Sequence, residues 1–442
     1  MDNFEELKKS RIGIFGYGSE GQSLFRFLIS KDCSKIKVFD EKAQSQILDN
    51  ESEIFSGNFE DGDYSDLDIV FRSPGIRVDR LKSLLPNSVK ISSPTNLFFE
   101  NCRATTVGIT GTKGKSTTAL LVAKLLENNN KKVFVVGNIG DPMLDVLDAA
   151  DKDSYCVVEL SSFQLQDLEF KPDIAIILPI LIDHLDYHKT ESEYVEAKRN
   201  ILKDDQQLVI CDLQTAQKLL IAPTENLVTF SADSPGANCV LSGGDMLCEI
   251  NQAQNVLADS IQFIKDKKIP DIDLLAAYAF AVAEKFKFDL EKFDDFKKLP
   301  LRVELVAAKN NIDFYNDSAS TNPLSTIKAM EMMSDPYILI LGGSAKGVGF
   351  KQLARTVHND KNLYKVFLFG DTADTIDAEI KKIGDTSTIV VDSLATVFEK
   401  LKADLPLVRA VLFSPACASF DQYKNYKDRG EDYNELVKNI NE

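Results

Sequence analysis

At 442 residues, with 44% apolar and 27% charged side chains, the chain is long enough for two or three globular domains. Its formal net charge of −17 argues against non-specific binding to nucleic acid or to an anionic membrane. No apolar run has the length of a membrane span, and the N-terminal residues lack the apolar region of a signal peptide, so we expect a cytoplasmic protein. The seven cysteines show no CxxC pairing, and we expect reduced thiols.

Short β-branched runs alternate with amphipathic helical stretches along most of the chain. Strands are predicted at residues 11–15, 36–39, 68–71, 105–109, 132–136, 155–160, 173–178, 337–341, 365–369, 388–391 and 410–413. This alternation predicts βαβ units and mainly parallel sheets. Turn-rich segments at 92–96 and 298–300 divide the chain into three α/β domains, at residues 1–96, 97–299 and 300–442. A stretch rich in Ser, Gly and Asp at 231–250 indicates an irregular hairpin.

A glycine-rich turn, GYGSEG, follows the first predicted strand and contains Gly16 and Gly18. Glycines in such a turn let the backbone approach a pyrophosphate, and the N-terminus of the following helix attracts its charge. Asp40 ends the next predicted strand, where a ribose-binding carboxylate would lie. A tight turn that binds nothing is the alternative.

A second phosphate motif, TGTKGKST at residues 110–117, lies between a predicted strand and a predicted helix. Backbone N–H groups of such a loop cradle phosphates, so we expect Lys115 to reach the β- and γ-phosphates and Ser116 to hold Mg²⁺. Ile109 stands where the strict pattern has glycine, and Gly111 makes the loop a variant. Two phosphate motifs in consecutive domains argue against a simple dehydrogenase and a simple kinase.

Three further residues are candidates for a metal site. Glu159 ends a predicted parallel strand, where it is either a Mg²⁺ ligand or an ordinary carboxylate at the rim of the sheet. His184, flanked by two aspartates, could ligate a metal, but a zinc pair with His188 lacks a third soft ligand. The spacing of Lys198 alone is typical of a solvated helix lysine.

These motifs occur in the order and spacing of the Mur ligase central domain: GTKGKST at 111–117, ELSSFQL at 159–165, DHLD at 183–186 and YxxAK ending at Lys198. The last domain adds LPLRVE at 299–304, NDS at 316–318 and SPACASFDQYKNY at 414–426, followed by Arg429 and Gly430. With GYGSEG and SPG at 73–75, the whole chain resembles the Mur ligases, in particular their D-glutamate-adding branch. The resemblance implies Rossmann-like first and last domains around a P-loop NTPase-like central domain.

The same resemblance implies an ATP-dependent carboxylate–amine ligase of peptidoglycan precursor synthesis, and hence of cell-wall biogenesis, cell shape and cell division. ATP would phosphorylate the terminal carboxylate of UDP-N-acetylmuramoyl-L-alanine, and the amine of D-glutamate would attack the acyl phosphate. The implied cofactors are ATP, two Mg²⁺ ions and a carbamylated Lys198, whose added oxygens suit Mg²⁺. The implied partners are small-molecule substrates, with no nucleic acid and no membrane, and the implied state is a monomer.

Site residues carried over by the resemblance form four sets. The ATP set is Gly111, Thr112, Lys113, Gly114, Lys115, Ser116 and Thr117, with Arg302 and Asp317 from the last domain. The metal set is Ser116, Glu159, His184 and Lys198, and the catalytic set is Lys115, His184 and Lys198. The UDP-substrate set is Gly16, Gly18, Ser19, Asp40, Gly75 and Asn138. The amino-acid set is Thr321, Lys346, Ser419 and Phe420.

Three positions depart from the family pattern. Pro179 replaces an asparagine, Ala319 replaces the lysine of DSKATN, and DIDLL at 271–275 replaces the HNxxN element. Four alternatives remain at this point: a Mur-type ligase for another amino acid such as L-glutamate, a folylpolyglutamate synthase, a nucleotide-binding dehydrogenase, and an inactive binding protein.

Overall fold

The computed structural model describes residues 3–41, 54–181, 187–203, 206–250, 252–267, 269–296, 301–344 and 349–440. The chain forms two compact units, Met1–Phe296 and Lys297–Glu442. Two sheets lie in the first unit and one lies in the second. The second unit begins close to the predicted boundary at residue 300, whereas the predicted boundary after residue 96 falls between the two sheets of the first unit. The division into three domains stays a prediction.

The first sheet has five parallel strands in the order β3-β2-β1-β4-β5. They are β1 (Ile12–Phe15), β2 (Ile36–Asp40), β3 (Ile54–Ser56), β4 (Ile69–Arg72) and β5 (Lys90–Ser92). The helices are α1 (Asn3–Lys9), α2 (Ser19–Ser30), α3 (Val78–Leu84) and α4 (Pro94–Asn101). Because β1 lies between β2 and β4, its carboxyl end is the switch point of the sheet, where ligand crevices form.

The second sheet has nine strands in the order β14-β13-β12-β11-β10-β9-β6-β8-β7. They are β6 (Thr105–Thr110), β7 (Lys132–Gly137), β8 (Ser154–Glu159), β9 (Ile174–Ile177), β10 (Leu208–Asp212), β11 (Leu227–Ser231), β12 (Cys239–Ser242), β13 (Asp245–Ile250) and β14 (Ala253–Leu257). The helices are α5 (Lys115–Asn128), α6 (Ser162–Leu165), α7 (Glu191–Arg199), α8 (Leu213–Lys218), α9 (Ser260–Lys267) and α10 (Asp271–Ala283). The predicted hairpin is therefore β12 and β13, and with β14 it extends the sheet by antiparallel pairing.

One cysteine pair departs from the expected reduced state. Cys239 of β12 and Cys248 of β13 are opposite each other in the antiparallel pair, and a disulfide joins them. The expectation of reduced thiols is wrong for this pair, because the strand register brings together two residues that no CxxC spacing links. The free cysteines are Cys33, Cys102, Cys156, Cys211 and Cys417.

A buried arginine ties the first sheet to the second. Arg72, at the end of β4, is fully buried and forms an ion pair with Asp167, to which its Nε donates at 2.8 Å. Its Nη2 also donates to the backbone oxygen of Phe163 at 2.9 Å. The two sheets of the first unit therefore share a desolvated charge pair, which requires both partners.

The sheet of the second unit has six strands in the order β15-β16-β20-β17-β18-β19, parallel except for the β15–β16 pair. They are β15 (Glu304–Lys309), β16 (Ile312–Asn316), β17 (Tyr337–Gly342), β18 (Leu363–Phe369), β19 (Thr388–Val390) and β20 (Ala410–Phe413). The helices are α11 (Pro323–Met330), α12 (Lys351–Asn359), α13 (Ala373–Lys381), α14 (Leu394–Leu401) and α15 (Tyr426–Lys438). Alternate strand residues enter two hydrophobic clusters, as expected for a sheet covered on both faces.

The predicted α/β class with mainly parallel sheets is confirmed, and each predicted strand is present with its ends within two residues of the predicted ones. Within the described ranges, no helix combines the length and the apolar character needed to cross a bilayer.

Candidate functional site

The phosphate loop lies between β6 and α5, as predicted, and two of its glycines have positive φ angles. Gly111 has φ 153°, and a Cβ there would lie 2.5 Å from the Cβ of Leu178. Gly114 has φ 83°, and a Cβ there would lie 2.0 Å from Oδ1 of Asp273 at the start of α10. Both positions therefore require glycine, because a side chain would meet a neighbour in a backbone conformation that already disfavours it.

Lys115 is the first residue of α5, and its side chain turns back over the loop. Its Nζ donates to the backbone oxygens of Gly111 at 3.1 Å and Thr112 at 3.0 Å. The positive end of the α5 dipole lies at the same place. Lys113 is exposed on the loop, and Thr117 is partly buried in the first turn of α5. This arrangement concentrates positive charge beside the backbone N–H groups that a phosphate would meet.

Glu159 brings together residues from three separate elements. Its carboxylate accepts a hydrogen bond from Ser116 Oγ at 2.6 Å and another from Asn138 Nδ2 at 2.9 Å. The side chain is only 1% exposed, and both of these donors are neutral. A buried carboxylate with neutral partners beside a serine hydroxyl is a set of hard oxygen ligands that suits Mg²⁺. The residues present therefore fit the predicted metal.

Lys198 is not the solvated lysine that its spacing on α7 suggests. It is 1% exposed, and its Nζ donates to Gly111 O at 2.8 Å and to Thr110 Oγ1 at 3.2 Å. The same Nζ lies 5.0 Å from the ring centroid of Tyr194. The structure thus brings Lys198 to the phosphate loop, whereas His184 lies outside the described residues.

A cavity of about 350 Å³ opens at the carboxyl end of β1, at the switch point of the first sheet. The predicted residues Gly16, Gly18, Ser19 and Asp40 all line it. Asp40 accepts a hydrogen bond from the backbone N–H of Tyr17 at 2.6 Å, so it also holds the turn in place. Of the other predicted UDP contacts, Gly75 lies between two lining residues, and Asn138 lies instead at Glu159.

The remaining lining residues of this cavity are Glu20, Glu41, Phe59, Ser73, Pro74 and Ile76. Glu20 was not predicted, although it lies inside GYGSEG, because the motif assigns no chemistry to that position. Its Oε1 accepts from Gln164 Nε2 at 2.9 Å, and Gln164 Oε1 accepts from the N–H of Ser161 at 2.9 Å. This pair of hydrogen bonds connects the turn of the first sheet to the segment that follows Glu159.

In the second unit, Asp317 is almost fully buried at the end of β16. It accepts from Ser414 Oγ at 2.6 Å and from the N–H of Val303 at 3.2 Å. Burial raises the pKa of Asp317 to about 6, although hydrogen bonds from Ser320 and Ser414 lower it. The other predicted ATP residue, Arg302, is exposed.

The loops after β17 and β20 meet at the carboxyl edge of the third sheet. The N–H of Ser344 donates to Ala418 O at 2.9 Å, and this contact brings the two loops together. Ser419 is buried, Phe420 is 69% exposed and Thr321 is partly buried. Lys346 lies outside the described residues.

Arg429 belongs to none of the predicted site sets, and its hydrogen bonds hold the loop after β20 in place. It is fully buried, and its guanidinium donates to the backbone oxygens of Cys417 at 3.0 Å, Ala418 at 3.1 Å and Ser318 at 2.9 Å. Burial lowers the pKa of Arg429 to about 10. Its Nε also donates to the hydroxyl of Ser318 at 3.1 Å. Most of its partners are thus backbone oxygens, which no local pattern reveals.

The sequence also matches known proteins. The family model described as the Mur ligase middle domain matches residues 109–255. The UDP-N-acetylmuramoylalanine–D-glutamate ligase of Lachnospira eligens is 32% identical over 459 residues, which cover 98% of this chain and 100% of the relative. The chain belongs to the Mur ligase family. The enzyme of the same name from Clostridioides difficile strain 630 is 33% identical over 462 residues, which cover 98% of this chain and 100% of the relative.

The fold agrees with this membership. The MurF ligase of Thermotoga maritima, solved in complex with ADP, superimposes with a TM-score of 0.54 and 18% identity, covering 99% of this chain and 97% of that one. At that identity the similarity concerns the fold alone. The resemblance to Mur ligases inferred from the sequence motifs is confirmed.

Proposed function

We propose that this chain is an ATP-dependent ligase that adds D-glutamate to UDP-N-acetylmuramoyl-L-alanine in peptidoglycan precursor synthesis. The observation that carries the proposal is the buried contact of Glu159 with Ser116 and Asn138, beside a glycine loop with a lysine over it. P-loop enzymes use an arrangement of this kind for phosphoryl transfer from ATP. The names of the full-length relatives support the choice of substrates.

The proposed reaction has two steps. The substrate carboxylate attacks the γ-phosphorus of ATP, the bond to ADP breaks and an acyl phosphate forms. The amine of D-glutamate then attacks the acyl carbon, gives up a proton and displaces inorganic phosphate as the amide forms. Lys115 and the N-terminus of α5 contribute by holding the phosphate oxygens and stabilising their charge.

Ser116 and Glu159 are the residues that would hold Mg²⁺, with His184 and Lys198 as the proposed ligands of a second ion. The metal, when bound, supplies positive charge that stabilises the phosphoryl oxygens during transfer. Asn138 holds the second oxygen of Glu159 and thereby fixes the orientation of the carboxylate. In the second unit, Arg302 and Asp317 are the proposed ATP contacts.

The proposed substrate contacts lie at two places. The turn with Gly16, Gly18 and Ser19 holds the diphosphate of the UDP substrate, with Asp40 beside it. The amino-acid contacts are Thr321, Lys346, Ser419 and Phe420 in the second unit, where hydroxyls and a cation suit the carboxylates of glutamate.

We further propose that Lys198 works as a carbamate. Its neutral amine would attack the carbon of CO₂, so that an N–C bond forms and one proton leaves. The product is anionic and can bind a cation, whereas a plain ammonium beside the phosphate loop would repel one. The buried position of Nζ, against Thr110 and Gly111, supports this modification because it places the added carboxylate next to the loop.

The carbamate is tested with Lys198→Ala. We expect the variant to be nearly inactive and to regain activity when acetate or another short carboxylate is added. Lys113→Ala is the matched control, because Lys113 is an exposed lysine of the phosphate loop that Lys198 contacts. The activity of this variant should not increase when acetate is added. Full activity of Lys198→Ala without added carboxylate would contradict the modification.

The proposed function is tested by release of inorganic phosphate from ATP with UDP-N-acetylmuramoyl-L-alanine and a panel of D- and L-amino acids. We expect release with D-glutamate that requires all three substrates and is lost in Glu159→Gln. Preference for L-glutamate would change the amino acid and keep the reaction class. No phosphate release with any acceptor, together with tight NAD binding, would overturn the proposal in favour of a dehydrogenase.

A further inference from the structure

Glu20 is a carboxyl group in an unusual place for a site that holds a diphosphate. It lies in the first turn of α2, where backbone N–H groups and the helix dipole favour anionic ligands, and it lines the cavity at the end of β1. An ionised carboxylate there would oppose the binding of a diphosphate at the same helix end.

The surroundings of Glu20 favour its neutral form. Its Oε1 accepts one hydrogen bond, from Gln164, and its Oε2 is buried without a hydrogen-bond partner among the described residues. Burial raises the pKa of Glu20 to about 7, against the hydrogen bond from Gln164 and the charge of Arg72, which lower it. The carboxyl group therefore changes charge within the range in which enzymes usually work.

The other charged groups near this side chain do not offset its charge. The guanidinium of Arg72 is paired with Asp167, so its positive charge is largely neutralised. On the neighbouring elements the structure describes these charged groups: Asp40 at the end of β2, Glu41 paired with Arg80, Asp145 paired with Arg26, and the Arg72–Asp167 pair. The described arginines here, Arg26, Arg72 and Arg80, each have a carboxylate partner, so their charges are not available to offset a charge on Glu20.

We infer that Glu20 controls the affinity for the nucleotide substrate through its own protonation, because only the neutral side chain leaves the N-terminus of α2 free to attract the diphosphate. This inference rests on the proposed function, which places the UDP substrate in this cavity. Because the substrate binds the neutral form, the protein must take up a proton at Glu20 when the substrate binds above pH 7. Glu20 is a positioning residue: its charge acts on the helix end, and its Oε1 holds Gln164.

The first measurement is the KM for UDP-N-acetylmuramoyl-L-alanine between about pH 6 and 8.5. For the wild-type protein we expect the KM to rise above pH 7, by at most about tenfold for each pH unit, with a much smaller change in the KM for ATP. Glu20→Gln keeps the hydrogen bond to Gln164 and cannot ionise, so its KM should stay nearly constant over this range.

Glu41→Gln is the matched control, because it removes a carboxylate from the same cavity. Hydrogen bonding to Arg80 holds the pKa of Glu41 below its usual value, so that group stays ionised throughout the range. We expect this variant to shift the KM by the same factor at every pH. A wild-type KM that is independent of pH, or an equal slope in Glu20→Gln, would overturn the inference.

A binding measurement separates this inference from the proposed function. Calorimetric titration of the full-length protein with UDP-N-acetylmuramoyl-L-alanine, in two buffers of different ionisation enthalpy, gives the number of protons taken up. We expect nearly one proton at about pH 8, nearly none at about pH 5.5 and none in Glu20→Gln. Binding without proton uptake refutes the role of Glu20, whereas no binding refutes the proposed function. If Glu20→Gln does not fold, the wild-type titrations at the two pH values still decide.

Discussion

Replacing Gly114 by alanine should destabilise the first unit and weaken ATP binding together. The left-handed conformation at φ 83° costs a non-glycine residue about 1–2 kcal/mol. The added Cβ would lie 2.0 Å from Oδ1 of Asp273, a buried side chain, and such overpacking costs a further ~1–3 kcal/mol. We therefore expect a loss of about 2–5 kcal/mol in the free energy of unfolding.

Gly243→Ala separates the two contributions. Gly243 also has a positive φ, 63°, but a Cβ there would meet no atom of the described part of the chain within 4 Å, so only the conformational cost applies. A double variant, Gly114→Ala with Asp273→Ala, removes the clash and should recover much of the extra loss, and the cycle measures the coupling between the positions. Denaturant unfolding of the full chain and the KM for ATP are the assays. If Gly114→Ala is no more destabilising than Gly243→Ala, the close approach to Asp273 is refuted.

Three further outcomes are expected. Lys115→Ala should lower kcat by about a hundredfold or more while the melting temperature is nearly unchanged, since its proposed partners are phosphates and its Nζ contacts loop oxygens and not a core; near-normal turnover would refute its role. Gly18→Val should raise the KM for the UDP substrate and not that for ATP, because no atom of the described residues lies within 4 Å of the added Cβ; equal effects on both would contradict this. Glu20→Gln should raise the free energy of unfolding at pH 8 by up to about 3 kcal/mol and leave it unchanged below pH 4.5. The reason is that the raised pKa of Glu20, about 7, makes the native wild-type protein lose stability as the pH rises from 4.5 towards 7; denaturant unfolding at several pH values checks this.

The sequence predicts well the features that depend on residues adjacent in the chain. Both glycine-rich turns follow buried strands, β1 in the first sheet and β6 in the second. In each sheet, parallel pairing places the carboxyl ends of neighbouring strands at the same edge. The side chains that the sequence did not place are those whose partners are remote. Lys198 is buried because Thr110 and Gly111, 88 and 87 residues away, accept its hydrogen bonds.

The same reason explains the other differences. Arg429 donates mainly to backbone oxygens, which every residue type has, so the side-chain pattern does not indicate its burial. The Cys239–Cys248 pair depends on the register of a hairpin, which the spacing of cysteines does not specify.

The ion pair between Arg72 and Asp167 bears on how the first unit can be divided. The first sheet has its own strand order and one apolar cluster of its own, whereas another apolar cluster contains residues of both sheets of the first unit. A chimera that kept Arg72 and the second sheet but lacked the carboxylate of Asp167 would hold an uncompensated buried charge, which costs several kcal/mol. The first sheet is therefore a module in its architecture but not in its stability, and recombination that exchanged it between relatives would have to carry both ends of this ion pair.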